Sequence, residues 1–99
     1  MNDPHATVRR DERLQRYLLE VDGEVLGFAA YEEREDRLVF THTEVDPRLE
    51  GQGMGSRLAR AALDDARQRG RRIVPECAFI AAYLCRHPDW NDLLETPPR

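Results

Sequence analysis

Residues 50–56 read Glu50-Gly51-Gln52-Gly53-Met54-Gly55-Ser56, with three glycines at alternate positions between a strand-like run and a helix-like run. Glycine lets the backbone approach a ligand closely and take conformations closed to other residues. The helix that follows presents unpaired N–H groups, and the positive end of its dipole, to the same space. Strand end, glycine loop and helix start together form an anion cradle, typically for phosphate. Two common phosphate loops are excluded. There is no Gly-x-x-x-x-Gly-Lys-Ser/Thr, and a dinucleotide fingerprint needs Gly-x-Gly-x-x-Gly where this chain has Gly-x-Gly-x-Gly.

The segments on either side read as α/β. Upstream, Arg37–Val45 alternates Leu38, Phe40, His42 and Glu44 on one face with Val39, Thr41, Thr43 and Val45 on the other, as a strand does. Two earlier strand runs, Arg13–Val21 and Glu24–Arg34, flank Asp22-Gly23, a strong two-residue hairpin signal. The three runs predict an antiparallel meander, ended by Asp46-Pro47. Downstream, Gly53–Arg69 repeats Met54, Leu58, Ala62 and Ala66 every fourth residue, with Ala59 and Leu63 beside them, which predicts an amphipathic helix stopped near Gly70. Arg71–Val74 reads as a short strand, so the crossover from Arg37–Val45 is expected to be parallel and right-handed. A second helix is expected over Cys77–His87, with Phe79, Ile80, Tyr83, Leu84 and His87 on one side, broken by Pro88. Asp89–Leu94 adds a last helical turn, and Trp90 is expected to pack it onto the body. Residues 1–12 are polar and aperiodic and read as a mobile tail, residues 13–95 as one domain, and residues 96–99 as a frayed end.

A chain of 99 residues is one domain's worth. Its 15 basic residues are all arginine, against 19 acids, for a net charge of −4. That balance argues against a general nucleic-acid binder, which needs a basic excess. The charge is uneven: residues 1–50 hold 7 Arg and 13 acids (−6), and residues 51–99 hold 8 Arg and 6 acids (+2). An anion would therefore bind to the second half. No run approaches a membrane span, and the first sixteen residues lack the apolar core of a secretory signal. Cys77 and Cys85, if on one helix, lie roughly 12 Å apart along its axis, too far for a disulfide. Two free thiols, no signal and no disulfide framework suggest the reducing cytoplasm, and no zinc spacing is present.

The loop resembles motif A of the GNAT acetyltransferase superfamily, Arg/Gln-x-x-Gly-x-Gly/Ala, with its glycines on Gly53 and Gly55. The likeness extends to His42-Thr43-Glu44-Val45, Gly51-x-Gly53-x-Gly55-Ser56, Val74-Pro75-x-Cys77-x-Phe79, Tyr83 and His87-Pro88-x-Trp90, which is similar to the small stand-alone GNAT-like proteins often called YjdJ-type. It covers about residues 14–94. The resemblance implies a compact GNAT-like fold and an acetyl-CoA-dependent N-acetyltransferase, with no metal. The pyrophosphate of coenzyme A would lie on Gly51, Gln52, Gly53, Met54, Gly55 and Ser56. Its pantetheine arm would pair with the third strand near Glu44 and Val45, where the sheet opens. One departure stands out: the motif's opening Arg/Gln is Glu50 here.

Acetyl transfer to an amine needs a base, a donor to the carbonyl oxygen, a proton for the leaving thiolate, and close positioning. His42 is the strand histidine suited to the base by its ordinary pKa, and Glu44 is a second candidate, acting through water. A backbone N–H near Val45 suits the oxygen. Cys77, where a strand meets a helix start, is a candidate nucleophile or a lining residue of the acyl pocket. Tyr83 lies on the helix where this superfamily often keeps a tyrosine that protonates the thiolate; Cys85 reads as packing. Arg57, Arg60, Arg71 and Arg72 are within reach of a ligand's phosphates, though a solvated charged face accounts for most of them. The amine acceptor, small molecule or protein, is not named by the sequence, nor is the choice between monomer and homodimer. A full-length domain of this superfamily usually has an N-terminal helical segment that helps form the acceptor pocket, and no clear equivalent is read before Leu14 here. The alternative reading is therefore a non-catalytic acyl-CoA-binding module or degenerate acetyltransferase.

Overall fold

The computed structural model describes residues 5–94. Five strands form one sheet in the order β1-β2-β3-β4-β5: β1 Ala6–Asp11, β2 Arg16–Val21, β3 Glu24–Arg34, β4 Arg37–Val45 and β5 Arg72–Pro75. The first four are antiparallel neighbours, and β5 runs parallel to β4. Helix α1, Met54–Gln68, makes the crossover, and α2, Ala78–Arg86, follows β5. A short 3₁₀ turn, Pro47–Leu49, leads into the glycine loop, and another, Pro88–Leu93, closes the described chain.

The expected hairpin is present, with Asp22 and Gly23 both at positive φ, and so is the parallel crossover. The apolar stripe of α1 is buried as its spacing requires: Met54, Leu58, Ala59, Ala62, Leu63 and Ala66 all face inward. They meet Tyr17, Leu19, Ala29, Tyr31, Leu38 and Phe40 of the sheet, and Ile80, Tyr83 and Leu84 of α2, in one cluster. Both helices cover the same face. The opposite face, which carries Phe28, Ala30, Val39, His42 and Glu44 by strand alternation, meets no α-helix among the described residues.

Three expectations are corrected. The first concerns the tail. Residues 6–11 are a strand, pairing Ala6 with Val21 through Asp11 with Arg16; residues 1–4 and 95–99 lie outside the described chain. Ala6 and Val8 alternate inward while Thr7 and Arg9 face out, so only two small side chains reach the core and the apolar signal is faint. The second strand accordingly begins at Arg16, after a turn in which Gln15 takes φ +55°.

The second concerns β4. Ala30 pairs with His42 and Tyr31 with Phe40, so Thr41 is one residue too many. This β-bulge reverses the alternation beyond it. Leu38 and Phe40 face the helices, but after Thr41 that side belongs to Thr43 and Val45, and His42 and Glu44 turn to the opposite face. The third concerns α2: Phe79 and Cys85 are exposed rather than packed in the core. Phe79 precedes Ile80, which takes the inward position in the first turn.

Candidate functional site

β5 ends at Pro75, opposite Phe40, while β4 continues through Thr41–Val45. Among the described residues, the last five of β4 therefore have no strand on their β5 side, and the sheet opens there into a V. The direction of the free amides follows from one bond. The Asp46 N–H donates to the Leu26 carbonyl at 2.7 Å, toward β3. Successive amides along a strand point to opposite sides, so the Val45 N–H points into the opening.

The glycine loop closes the wide end of the V. Gly51 (φ +81°) and Gly53 (φ +73°) both occupy the left-handed region, where an L side chain would be strained. The turn is held by the Gln52 N–H to the Leu49 carbonyl (3.1 Å) and the Gln52 side-chain amide to the Arg48 carbonyl (3.3 Å). Helix α1 makes its first internal bond from Arg57 N–H to the Gly53 carbonyl at 3.1 Å. The N–H groups of Met54, Gly55 and Ser56 precede it, no side chain caps them, and no acid lies in the first turn. This is a helix start left open to an anion. Glu50 is exposed on the rim of the loop.

A cleft of about 310 Å³ runs between the end of β4 and this helix start, lined by Val45, Pro47, Glu50, Gly51, Gly53, Gly55 and Phe79. Phe79 has no counterpart among the residues expected at the site. It lies so close over Gly55 that a Cβ there would sit 2.8 Å from its Cζ. The ring thus forms one wall of the cleft, which explains why an aromatic residue on a helix remains 38% exposed. Its place in the Val74-Pro75-x-Cys77-x-Phe79 pattern was the available signal. On the far side of the β4 end, a second cleft of about 320 Å³ is lined by Leu26, Gly27, Phe28, Glu44, Val45 and Pro47.

The four candidate catalytic side chains divide into two pairs and do not converge. His42 and Glu44 meet on the outer face, Nε2 to Oε2 at 2.7 Å, both well exposed, with the Phe28 ring 5.9 Å from the imidazole. Cys77 lies on the helix side. It precedes α2 and is buried, and its thiol donates to Thr43 Oγ1 at 3.2 Å across the V. Thr43 was not singled out in the sequence; the bulge at Thr41 is what turns it toward Cys77. Tyr83 is 4% exposed and lies deeper, stacked on His87 (4.2 Å between centroids) and next to Trp90 (5.9 Å). Trp90 packs the last turn onto the body as expected, its indole N–H donating to Asp64 at 3.1 Å.

The model of the GCN5-related N-acetyltransferase family matches residues 16–93. The chain belongs to the GCN5-related N-acetyltransferases. The same architecture occurs in the NMR solution structure of a GCN5-like N-acetyltransferase candidate from Staphylococcus aureus, 22% identical, covering 89% of this chain and 86% of that one with a TM-score of 0.69. At that identity the likeness is one of fold. No curated protein matches the chain in sequence. Among family members, then, this chain has a compact domain with a mixed sheet, an open β4 edge and a glycine loop at the start of α1. No helix of the described chain is long and apolar enough to cross a membrane.

Proposed function

We propose that the chain binds acetyl-CoA in the V between β4 and β5 and transfers its acetyl group to an amine. The observation that carries this reading is the juxtaposition of two sets of free amides. The unbonded edge of β4 at Thr41–Val45 lies alongside the uncapped start of α1 at Met54–Ser56. Coenzyme A has an amide-bearing arm at one end and a pyrophosphate toward the other, so the two surfaces match its two parts. The match is also steric: no side chain projects from Gly51 or Gly53 into the cradle, and the Phe79 ring walls the channel beyond it.

Bound there, acetyl-CoA would supply an acyl group already activated as a thioester. The chain supplies position and proton handling. Val45 N–H points into the V and is placed to donate to a carbonyl oxygen, where charge builds up during transfer. Cys77, buried in the V, lines the acyl end, and its S–H is a proton source within reach of a departing thiolate. His42 is the base for an acceptor arriving over the open face. With Nε2–H donating to Glu44, the other ring nitrogen is left free to take a proton. Glu44 in this reading holds the tautomer. Tyr83, stacked beneath His87, supports the wall rather than the chemistry.

The test is calorimetric titration with acetyl-CoA, followed by thiol release with a panel of amines. Binding that is lost in Gly53→Glu, with turnover that falls at least tenfold in His42→Ala, is the expected result. The absence of binding overturns the proposal. Binding without turnover favours the second reading, a non-catalytic acyl-CoA module. The separation of His42 and Glu44 from Cys77 across the two faces of β4 is the observation that keeps that reading open.

A further inference from the structure

Arg16 opens β2 on the face that meets no α-helix among the described residues, in the half of the chain where acids outnumber arginines 13 to 7. The register sets it in one row with Ala30 of β3 and His42 of β4. Residues paired directly across strands share a face, and two strand spacings put Arg16 and His42 roughly 10 Å apart at the backbone. Their side chains close that gap over Phe28. The Arg16 guanidinium lies 4.0 Å from the centre of the Phe28 ring, and the His42 imidazole lies 5.9 Å from it on β4.

Among the described residues no carboxylate is within ion-pair distance of Arg16. Asp11, opposite it on β1, accepts the Leu14 N–H at 3.1 Å and faces Arg9 at 3.9 Å. Glu20 is held by Arg9 at 3.0 Å, Glu32 by Arg34, and Glu44 by His42 at 2.7 Å. A guanidinium resting on an aromatic ring keeps its N–H edges, and those edges fit a carboxylate bidentately. Beside it lies the cleft of about 320 Å³ on this side of the β4 end, with an apolar floor of Val25, Leu26 and Phe28. Val25 is left 47% exposed there. Glu44 stands on the wall of this cleft, and Val45 is shared with the cleft at the glycine loop.

We propose that the amine acceptor is a free α-amino acid with an apolar side chain, its carboxylate held by Arg16. The inference rests on the acetyl-transfer reading above and deepens it by naming the acceptor class. Three parts of such a molecule meet three features of the face. The carboxylate takes the guanidinium edge over Phe28, the amine meets His42 with Glu44 beside it, and the side chain enters the cleft at Val25. A hydrogen bond at each end takes up roughly 3 Å. The gap between guanidinium and imidazole therefore suits an amine and a carboxylate on one carbon, and a peptide's first residue carries no carboxylate at that place. The neutral amine attacks the acetyl carbonyl carbon and gives its proton to His42. The carbon–sulfur bond breaks and the thiolate is protonated, leaving an N-acetyl amino acid and coenzyme A.

The experiment measures thiol release from acetyl-CoA by the full chain with leucine, leucinamide, 3-methylbutylamine and a tripeptide beginning with leucine. All four keep the amine and the side chain and differ at the carboxylate. The amide's amine deprotonates more readily than leucine's, so a preference for leucine reports its charge. The wild-type kcat/KM for leucine should exceed that for each of the others at least tenfold. In Arg16→Ala that ratio should fall toward one, with the loss in KM for leucine, and Arg16→Lys should retain part of it. Cooperative thermal unfolding of both variants confirms the fold. Equal turnover of the four acceptors, a preference undiminished in Arg16→Ala, or turnover confined to the tripeptide overturns the amino-acid assignment and leaves acetyl transfer standing. Acetyl-CoA binding with no turnover of any acceptor overturns the assignment and favours the non-catalytic module. Failure to bind acetyl-CoA overturns the assignment and the acetyl-transfer reading together.

Discussion

Gly53 and Gly55 are constrained for opposite reasons. Around Gly53 there is open space, with nothing within 4 Å of an added Cβ, but its φ is +73°. The backbone alone resists substitution there. Gly55 has no such backbone demand; its restriction is the Phe79 ring at 2.8 Å. Gly53→Ala is therefore expected to lower stability by about 1–2 kcal/mol in chemical denaturation. Gly55→Ala should leave stability near the wild-type value, because alanine's helix preference offsets the displaced ring. It should weaken coenzyme A binding by moving Phe79, and Gly55→Ala with Phe79→Ala should recover part of that loss in the same titration. A second residue-scale expectation concerns Tyr17. Burial, and then the hydrogen bond to Asp65 at 2.6 Å, push its phenol well above the usual tyrosine range. A pKa raised in the folded state gives stability that is complete below the unfolded value of 10.0 and is lost as pH rises beyond it. In melts from pH 8 to 12, the wild type should lose stability more steeply above pH 10 than Tyr17→Phe does. The variant itself should be about 1 kcal/mol less stable at neutral pH for want of the bond.

Among the elements, β1 is the one that composition concealed. Its segment, Ala6-Thr7-Val8-Arg9-Arg10-Asp11, is charged and short, as an edge strand's exposed side tends to be. Yet Val8 packs against the core, and Arg10 reaches Asp65 of α1 at 3.5 Å. A chain beginning at Glu12 strips the ladder from one side of β2, where Leu19 is fully buried. It should lose well over the 1–2 kcal/mol attributable to Val8 alone, and Val8→Asp in the full chain should lose a similar amount to that share. Denaturant midpoints decide this; a truncated chain as stable as the parent would mean that residues 6–11 contribute nothing. The elements around the site were legible because their signals are strong and local: the four-residue repeat of α1, the Asp22-Gly23 turn, the proline stops. The β1 signal, two small inward residues in a charged stretch, was not.

At the scale of the molecule, the sheet divides function between its faces. Both helices cover one side, so the chain has a packed half and an open half that meet along the free edge of β4. Coenzyme A bound along that edge would contact β4 and α1 together and so oppose their separation. Saturation at about 100 times the dissociation constant should add about 2.7 kcal/mol to folding. For a domain of this size that corresponds to a melting temperature about 10 °C higher or more. A melting temperature that does not move over that ligand range contradicts coenzyme binding. The uneven charge has its structural counterpart here. The acid-rich first half forms β1 to β4, and Arg57 and Arg60 stand on α1 beside the loop.

Sequence alone determined the mixed α/β plan, the glycine loop at the start of α1, the parallel return to β5 and the inward stripe of α1, because each depends on contacts or spacings within a few residues. It also held the likeness to the acetyltransferase family, in motifs spread over most of the chain. Tertiary structure decided which side chains meet. One extra residue at Thr41 turned His42 and Glu44 away from the helices and brought Thr43 to Cys77. The close approach of α2 to α1 set Phe79 over Gly55 and stacked Tyr83 and His87 beside Arg57 and Arg60. A bulge and a helix contact are settled by packing between segments far apart in the chain, and the alternation of a single strand carries no trace of either.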